Sequence, residues 1–323
     1  MRPAYLLLAA RLGCLLTWSV DRYGAQACEP GMIDFMDLTG DGHVHSEWSW
    51  DTGGPHSDAA GRMELMCRRA VQIGLPALAF TEHFDFTSWA LTPEDQLPDS
   101  WGALVSENQV LAPPPLEVEG YLESIERCRH EFSELHVLTG VEFGQPHLDE
   151  ASARQLTDLD ALDRVNGSLH TIPTTDASGS LRSEPYTLYY LWPAADVVRR
   201  YLAEMIHMIA TGGTFTVVTH IEYAARYWPV EREGPFDPKP FEDEFRQAMR
   251  AIAGTGRALE LNVGASIRPW VPQWWREEGG RAITIASDAH TPDRLGGNFY
   301  EAMAMAEHFG FRPGRRPHDF WTR

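Results

Sequence analysis

Short apolar runs in this chain end repeatedly in a histidine or an acidic residue. The runs LPALAF, HVLTGV and FTVVT have the length and composition of buried strands, and they lead into His83, Glu142 and His220. The runs DRVNGSL and ITIA lead in the same way into His170 and the segment 287–290. Side chains at the carboxyl ends of parallel strands meet at one face of an α/β barrel, where active sites are built. The sequence therefore predicts a parallel α/β barrel with a polar cluster at one mouth.

The residues at these strand ends are of the types that bind metal ions. The string GDGHVHSEWSWD adds His43 and His45, which alternate along one strand and therefore face the same side. Imidazole and carboxylate groups together suit zinc, manganese or iron. Glu142 stands alone at its strand end and is the candidate bridge between two ions. The predicted metal ligands are His43, His45, Asp51, His83, Glu142, His170, His220, Asp288 and His290.

Each of these residues also has an ordinary structural explanation. His83 could bond a backbone carbonyl, His170 could cap a helix, and Asp288 could form a turn. Such explanations would have to hold independently at the same end of every strand, so the joint pattern favours a metal site. His56 and His147 lie near these motifs and are not assigned to either group.

Length and charge limit the class of protein. A chain of 323 residues with 43% hydrophobic residues suits a single α/β barrel with a sizeable core. Its net charge of −19 argues against nucleic-acid binding, because proteins that bind phosphate backbones present a basic face. Bound cations would balance part of this charge, and most of the remaining acids are expected on a solvated surface.

Amphipathic segments alternate with the strand-like runs, which is typical of parallel α/β proteins. Four segments show helical spacing of apolar residues: 62–74, 119–132, 197–213 and 241–256. Each is followed at once, or within a few residues, by a strand-like run. We expect one barrel domain over residues 33–323, with no internal repeat.

Two stretches, 84–119 and 171–190, interrupt this alternation. Both directly follow a predicted ligand, so both are expected on the active-site side of the barrel, where long loops shape access to the site. Trp89 and Trp101 in the first stretch could stack on an imidazole or a nucleobase. A disordered insertion is the alternative interpretation.

The N-terminal extension, residues 1–32, has two explanations. It could contain the apolar region of a signal peptide, or the gene start could lie later, at Met32 or Met36; we favour the second. Arg11 interrupts the apolar run, which makes it a poor membrane span. A cytoplasmic location is expected, while the first explanation leaves export open.

The cysteines are Cys14, Cys28, Cys67 and Cys128, and their spacing is not that of metal ligands. This pattern indicates free thiols in a reducing compartment rather than a disulfide framework. Cys67 and Cys128 fall in predicted helices, where a small buried hydrophobic side chain is the simplest role.

Taken together, the motifs resemble a known family. The strings DGHVHSEWSWD, FTEHFDF, TGVEFG, NGSLH, VVTHIEY, LELNVGAS and IASDAH are similar, in this order, to the motifs of the PHP (polymerase and histidinol phosphatase) superfamily. They extend from about Asp37 to the C-terminal region. Chain length and inserts resemble the stand-alone histidinol-phosphatase branch rather than the domain attached to bacterial replicative polymerases.

The resemblance implies a distorted (β/α)7 barrel of the TIM type, with two or three divalent ions (zinc, manganese or iron) at the C-terminal face of the strands. One ion would be held by His43, His45, Glu142 and Asp288. Glu142 would bridge to a second ion, held also by His170 and His220. A third would be held by Asp51, His83 and His290. Glu222 stands where the family often has Asp, and its role is left open.

The chemistry expected of such a site is phosphate-ester hydrolysis, in which a metal-bridging hydroxide attacks phosphorus in line. Glu142, His170 and Asp288 are the expected catalytic residues. Arg226 and Arg268 are candidates for binding the phosphoryl group, because a guanidinium fork suits phosphate; for each, a surface salt bridge is an equal alternative.

The favoured substrate is L-histidinol phosphate, an intermediate of histidine biosynthesis. Another small phosphate ester or a nucleotide is the alternative, because a fold does not fix specificity. An acid near the mouth could bind a substrate ammonium, but the sequence does not single one out.

A nuclease, a regulatory metal-binding protein and an amidohydrolase are the other classes of protein to consider. The acidic charge argues against a nuclease, and the intact ligand set argues against a regulatory protein. The lack of a Lys at a strand end argues against an amidohydrolase. Oligomeric state is left open, and no membrane partner is expected.

Overall fold

The computed structural model describes residues 38–57, 59–174, 181–264 and 268–323. The predicted N-terminal extension, with Cys14 and Cys28, lies outside the described residues. Cys67 and Cys128 are buried free thiols, as the sequence predicted. Among the helices of the described ranges, none is both long enough and apolar enough to cross a membrane.

The strands are mostly short and buried. Numbered in chain order within the described residues, they are β1 (Asp41–Val44), β2 (Ala77–Phe84), β3 (Trp89–Ala90), β4 (Val110–Leu111), β5 (His136–Gly144), β6 (Arg164–Ser168), β7 (Ile172–Pro173), β8 (Arg182–Ser183), β9 (Val217–Val218), β10 (Ala258–Asn262), β11 (Ala282–Ala286) and β12 (Trp321–Thr322).

Eight of these strands form one curled sheet, in the order β1-β2-β5-β6-β9-β10-β11-β12. Neighbours from β1 to β11 are parallel, and β12 is antiparallel to β11. The His45 N–H donates to the Ala289 carbonyl, and the Asp288 N–H donates to that of His43, each at 2.9 Å. These bonds join the first strand to the segment after β11. The predicted α/β class is confirmed, and the curled sheet agrees with a distorted barrel.

Helices connect successive strands of the sheet. Within the described residues they are α1 (Met63–Ile73), α2 (Val118–Glu131), α3 (Pro146–Leu156), α4 (Pro185–Leu191), α5 (Ala194–Thr211), α6 (Tyr223–Arg226), α7 (Val230–Glu233), α8 (Glu242–Thr255), α9 (Trp270–Glu277) and α10 (Phe299–His308). The four predicted helices correspond to α1, α2, α5 and α8. Gly74 ends α1 in the left-handed conformation, with φ of 77°, which glycine adopts without steric cost.

The two stretches that interrupt the alternation contain short paired strands. In the first, β3 pairs antiparallel with β4 and a 3-10 helix spans Asp99–Leu104. In the second, β7 pairs antiparallel with β8, and α4 follows. Strands of two residues are too short to show an alternating pattern, which explains why the sequence indicated only irregular structure there.

Aliphatic and aromatic side chains fill the space between the sheet and its helices. The largest fully buried side chains include Phe80, Phe143, Tyr201, Trp275 and Trp321. Tyr121 of α2 is also buried, and its hydroxyl accepts a hydrogen bond from the Gly140 N–H at 2.8 Å. The same hydroxyl can donate to the Phe80 carbonyl at 2.9 Å or the Gly140 carbonyl at 3.0 Å. Tyr121 therefore ties α2 to both β2 and β5, which carry His83 and Glu142.

The substitution Tyr121→Phe is expected to lower the free energy of unfolding by about 1–3 kcal/mol, because it leaves buried backbone groups without their partner. Urea denaturation followed by circular dichroism measures this change. Tyr300→Phe is the matched control, since Tyr300 is 52% exposed. Equal stability of the two variants would contradict the role given to the Tyr121 hydroxyl.

Candidate metal centre

The ends of the parallel strands bring the predicted ligands together. His43 lies within β1, and His45 follows that strand directly. His83 and Glu142 are paired Cα neighbours near the ends of β2 and β5. His170 follows β6 by two residues.

The remaining ligands come from β9, β11 and a loop. His220 follows β9 by two residues, and Asp288 and His290 follow β11 by two and four. Asp288 has a φ of 55°, an uncommon conformation for a non-glycine residue that costs backbone strain. Asp51 lies in a 3-10 helix, Trp50–Thr52, after β1. Short contacts between side chains join all nine predicted ligands into one cluster.

Glu142 lies at the centre of this cluster. Its Oε1 is 3.0 Å from His170 Nε2 and 2.8 Å from His220 Nε2. Its Oε2 is 3.1 Å from His83 Nδ1 and 3.4 Å from the Nε2 atoms of both His43 and His45. One carboxylate thus faces five imidazoles, which is the position expected of a bridging ligand.

Two further carboxylates flank the centre. Asp288 Oδ1 lies 3.3 Å from His45 Nε2 and 3.7 Å from His43 Nε2. Asp51 Oδ2 lies 2.8 Å from His290 Nε2 and 3.6 Å from His83 Nε2.

Three groups of side chains have ligand atoms within 4.8 Å of one another: His43 with His45 and Asp288; His83 with Glu142 and His170; and His45 with His83 and His290. The first group matches three of the four residues expected at one ion. The second group combines Glu142 and His170, expected at the second ion, with His83, expected at the third. The third group combines His83 and His290 with His45, which is expected at the first ion.

The acids of the cluster remain ionised despite their burial. Burial by itself would raise the pKa of Glu142, but the positive charges of His170, His43 and His83 hold that pKa well below its usual range. Burial of Asp51 is outweighed in the same way by His290 and His83. Cations of any kind in this position would have the same effect as the protonated imidazoles.

Hydrogen bonds on the outer side of the cluster orient three imidazoles. His43 Nδ1 lies 2.7 Å from Glu260 Oε2, and His170 Nδ1 lies 3.1 Å from Asp85 Oδ1. With Nδ1 bonded to a carboxylate, each ring directs its Nε2 into the cluster. Carboxylates beside metal-binding histidines fix the ring and raise its basicity in this way.

His45 is oriented through a hydroxyl. Its Nδ1 is 2.9 Å from Ser49 Oγ, which donates to Glu82 Oε2 at 2.7 Å and therefore accepts from the imidazole. Burial, together with the charges of His290 and His83, lowers the pKa of His45 to about 3. His45 is therefore neutral, and its Nε2 lone pair is available to a cation.

The donor set fits divalent cations. Glu142 Oε2, Asp51 Oδ1 and His83 Nδ1 are buried and have no hydrogen-bond partner within the described ranges, although the first and third lie 3.1 Å apart. Buried polar atoms without partners are rare, and an ion is one of the groups that satisfies them. Nitrogen and oxygen ligands in this number suit zinc, manganese or iron.

A cavity of about 130 Å³ opens beside the cluster. Ligand residues form one part of its wall, and Glu184 and Arg226 supply further charged groups. The aromatic side chains that line it are Trp50, Trp89, Trp101, Tyr223 and Tyr227. Both tryptophans singled out in the sequence are therefore at the cavity. Its volume suits a small substrate.

The two candidate arginines occupy different places. Arg226 Nη1 donates to Asp288 Oδ2 at 3.0 Å, while its Nε and Nη2 are buried without a partner in the part of the chain that the structure describes. Arg268 lines a separate small cavity together with Glu222 and Asn262. Arg226 is thus the arginine that the structure brings to the ligand cluster.

The unassigned histidines lie away from this cluster. His56 is exposed and lies 4.0 Å from Glu117. His147 is buried, and its Nε2 is 3.2 Å from Glu204 Oε1.

Several residues of the site were not identified from the sequence. Glu260, within the strand motif LELNV, bonds His43, and Asn262 donates from the same strand to both Glu260 and Asp288. Asp85 follows His83 by two residues and bonds His170. The signal was present, because residues two apart on a strand face the same side. Polar residues at that spacing in a buried strand point toward the cluster.

Local backbone features place His170. Gln145, at the start of α3, has a φ of 50°, and its Oε1 accepts from the His170 N–H at 2.8 Å. Gly144 precedes it, and a side chain at that position would overlap the Asp85 carboxylate. A glycine here lets Asp85 approach the His170 ring.

The family model of the PHP domain matches residues 41–264. The histidinol-phosphatase of Lactococcus lactis subsp. lactis is 24% identical over 285 residues, which cover 84% of this chain and 91% of that protein. A Clostridium acetobutylicum protein named "Probable histidinol-phosphatase" is 26% identical over 185 residues, covering 55% of this chain and 69% of that protein.

A solved structure has a similar fold. It is the histidinol phosphate phosphatase of Lactococcus lactis subsp. lactis in complex with zinc, L-histidinol and phosphate. The TM-score is 0.66 at 21% sequence identity, and the superposition covers 88% of this chain and 98% of the other.

The substitutions Glu142→Ala and His170→Ala are expected to reduce bound zinc per chain to about half of the wild-type content or less, because each removes ligands facing several others. Elemental analysis of purified, zinc-loaded protein gives the content. His308→Ala, on the exposed face of α10, serves as the control. Unchanged zinc in both site variants would refute the assignment.

The substitution Glu260→Gln is expected to weaken zinc affinity about 10- to 100-fold, since it removes the carboxylate that orients His43. Competition with a fluorescent zinc chelator measures the affinity. Circular dichroism spectra of the variant should match the wild type. An unaltered affinity would mean that the Glu260 contact does not orient a ligand.

Proposed function

This chain belongs to the PHP domain family, and on that premise we propose that it is a metal-dependent phosphomonoesterase that hydrolyses L-histidinol phosphate to L-histidinol and phosphate. The observation that carries the proposal is the cluster of nine ligand-type side chains, with Glu142 at its centre, beside a small cavity that Arg226 also lines. The similarity to histidinol-phosphatases supports the choice of substrate.

The proposed metal centre lies at the carboxyl ends of a distorted (β/α)7 barrel and holds two or three divalent ions. The proposed ligands of a first ion are His43, His45, Glu142 and Asp288; of a second, Glu142, His170 and His220; and of a third, Asp51, His83 and His290. Divalent ions, when bound, polarise phosphoryl oxygens and lower the pKa of coordinated water.

The protein's own groups would orient the phosphoryl group. Arg226 has two buried nitrogens, Nε and Nη2, without a partner in the described chain, and both can donate to phosphoryl oxygens. The Arg226 bond to Asp288 fixes the direction of the guanidinium. Glu142, held ionised, would keep the neighbouring imidazoles in place.

The aromatic lining would exclude water from the reacting ester. Trp50 packs against Trp89 and Trp101, with ring centroids 5.8 Å and 4.8 Å apart. The Trp101 Nε1–H donates to the Asp51 carbonyl at 3.0 Å. This bond holds residues 84–119, here called the first insert, against the loop that carries Asp51. Exclusion of water lowers the local dielectric constant, which strengthens the electrostatic interactions made in the cavity.

Phosphate release from L-histidinol phosphate, compared with other small phosphate esters and nucleotides, tests the proposal. Protein reconstituted with zinc, manganese or iron is expected to favour L-histidinol phosphate by about 100-fold or more in kcat/KM. A different best substrate would retain the phosphatase but replace its substrate. Absence of turnover with every ester and metal would overturn the proposal.

The substitution Arg226→Lys is expected to lower kcat/KM about 10- to 100-fold, because lysine lacks the planar fork that binds phosphate. Arg268→Lys, at the separate cavity, should have a much smaller effect. Steady-state kinetics of both variants distinguish the two candidates. A larger loss at Arg268 would show that Arg226 serves only to hold Asp288.

A further inference from the structure

Glu184 is a carboxylate at the cavity that stands apart from the ligand cluster. The other acids of the lining, Asp51, Glu142 and Asp288, all contact imidazoles of the cluster. Glu184 has no Lys, Arg or His nitrogen within 4.0 Å among the described residues. The cavity therefore contains one acidic group that the metal chemistry does not use.

The two residues before Glu184 make contacts that hold its backbone in place. Ser183 Oγ donates to the Ala90 carbonyl at 3.0 Å, which ties the segment to the first insert. The buried Arg182 donates to the Thr171 carbonyl at 2.8 Å and to Glu204 Oε1 at 2.7 Å. Glu184 directly precedes the helix α4, at its N-cap position. The backbone before Glu184 is thus bonded both to the first insert and to the start of its own stretch, the second insert (residues 171–190).

Aromatic rings line the same cavity. Tyr223 and Tyr227 have ring centroids 5.1 Å apart, and the three tryptophans of the first insert and its neighbouring loop complete the lining. Aromatic faces attract organic cations, and a carboxylate gives such a cation a charged partner. This combination suits a protonated amine rather than a neutral alcohol.

The electrostatics of Glu184 agree with a missing positive partner. Burial raises the pKa of Glu184 to about 7; the charge of His170 lowers it and that of Asp85 raises it further. An ammonium group bound beside this carboxylate would stabilise its ionised form.

We propose that Glu184 binds the protonated amine of the substrate and so selects, among small phosphate esters, those whose alcohol carries an ammonium group. The inference rests on the proposed phosphatase function and assigns to it a specificity-determining residue. The phosphoryl group would lie toward Arg226 and the ligand cluster, and the amine toward Glu184.

Two other roles for Glu184 make different predictions. A proton donor to the leaving oxygen would be needed for every alkyl phosphate, with or without an amine. A purely structural residue would affect all substrates and the stability of the fold alike. Only an amine-binding residue acts selectively on substrates that carry the amine.

The test compares L-histidinol phosphate with 3-(imidazol-4-yl)propyl phosphate, which lacks only the amine. In the zinc-loaded protein, Glu184→Gln is expected to lower kcat/KM for L-histidinol phosphate about 10- to 100-fold, since a charge-assisted hydrogen bond is lost. Hydrolysis of the analogue should change by less than about threefold on the same grounds. Glu94→Gln, an exposed acid of the first insert, is the matched control.

Equal losses on both esters would overturn the inference. If the wild type hydrolyses neither ester, the phosphatase proposal fails, and calorimetric binding of L-histidinol and of 3-(imidazol-4-yl)propan-1-ol decides the role of Glu184. A wild-type preference for L-histidinol that Glu184→Gln abolishes would support amine binding. Equal wild-type affinities, absence of binding, or a preference that survives the substitution would refute it.

Discussion

The Glu142 carboxylate is buried to 1% exposure and carries its negative charge in the interior. A buried carboxylate is stable only if positive groups or hydrogen bonds replace its hydration. Five imidazoles surround this carboxylate, from β1, β2 and the segments after β1, β6 and β9. The positive charges of His43, His83 and His170 meet the requirement. The curled sheet, with its strands ending at one level, is what allows such distant parts of the chain to converge on one side chain.

A second layer of polar residues fixes the orientation of three of these imidazoles. Glu260 and Asp85 bond the outer nitrogens of His43 and His170, and Ser49 does so for His45. Ser49 and Asp85 lie shortly after β1 and β2, whereas Glu260 lies on β10, between the strands that lead to His220 and Asp288. The fold therefore positions ligands and their supports together, so that a shift of one strand would disturb both.

The sequence was informative at the ends of buried strands, although it did not identify Glu260 and Asn262 within β10. The proximity of His83 and Glu142 could be predicted because the end of a buried run is visible in the residues themselves. The choice between Arg226 and Arg268 could not, since it depends on the path of the loops in space. The position of Glu184 at the cavity could not be predicted for the same reason, because short strands and loop contacts bring it there.

The proposed function requires that the carboxylate of Glu142 lies between divalent ions rather than only among imidazoles. Anomalous X-ray scattering from crystals of the zinc-loaded protein, collected on both sides of the zinc absorption edge, tests this directly. We expect at least two zinc peaks, each within coordination distance of a different Glu142 oxygen, at about 2.0–2.2 Å. Peaks confined to surface histidines, with none beside Glu142, would contradict it.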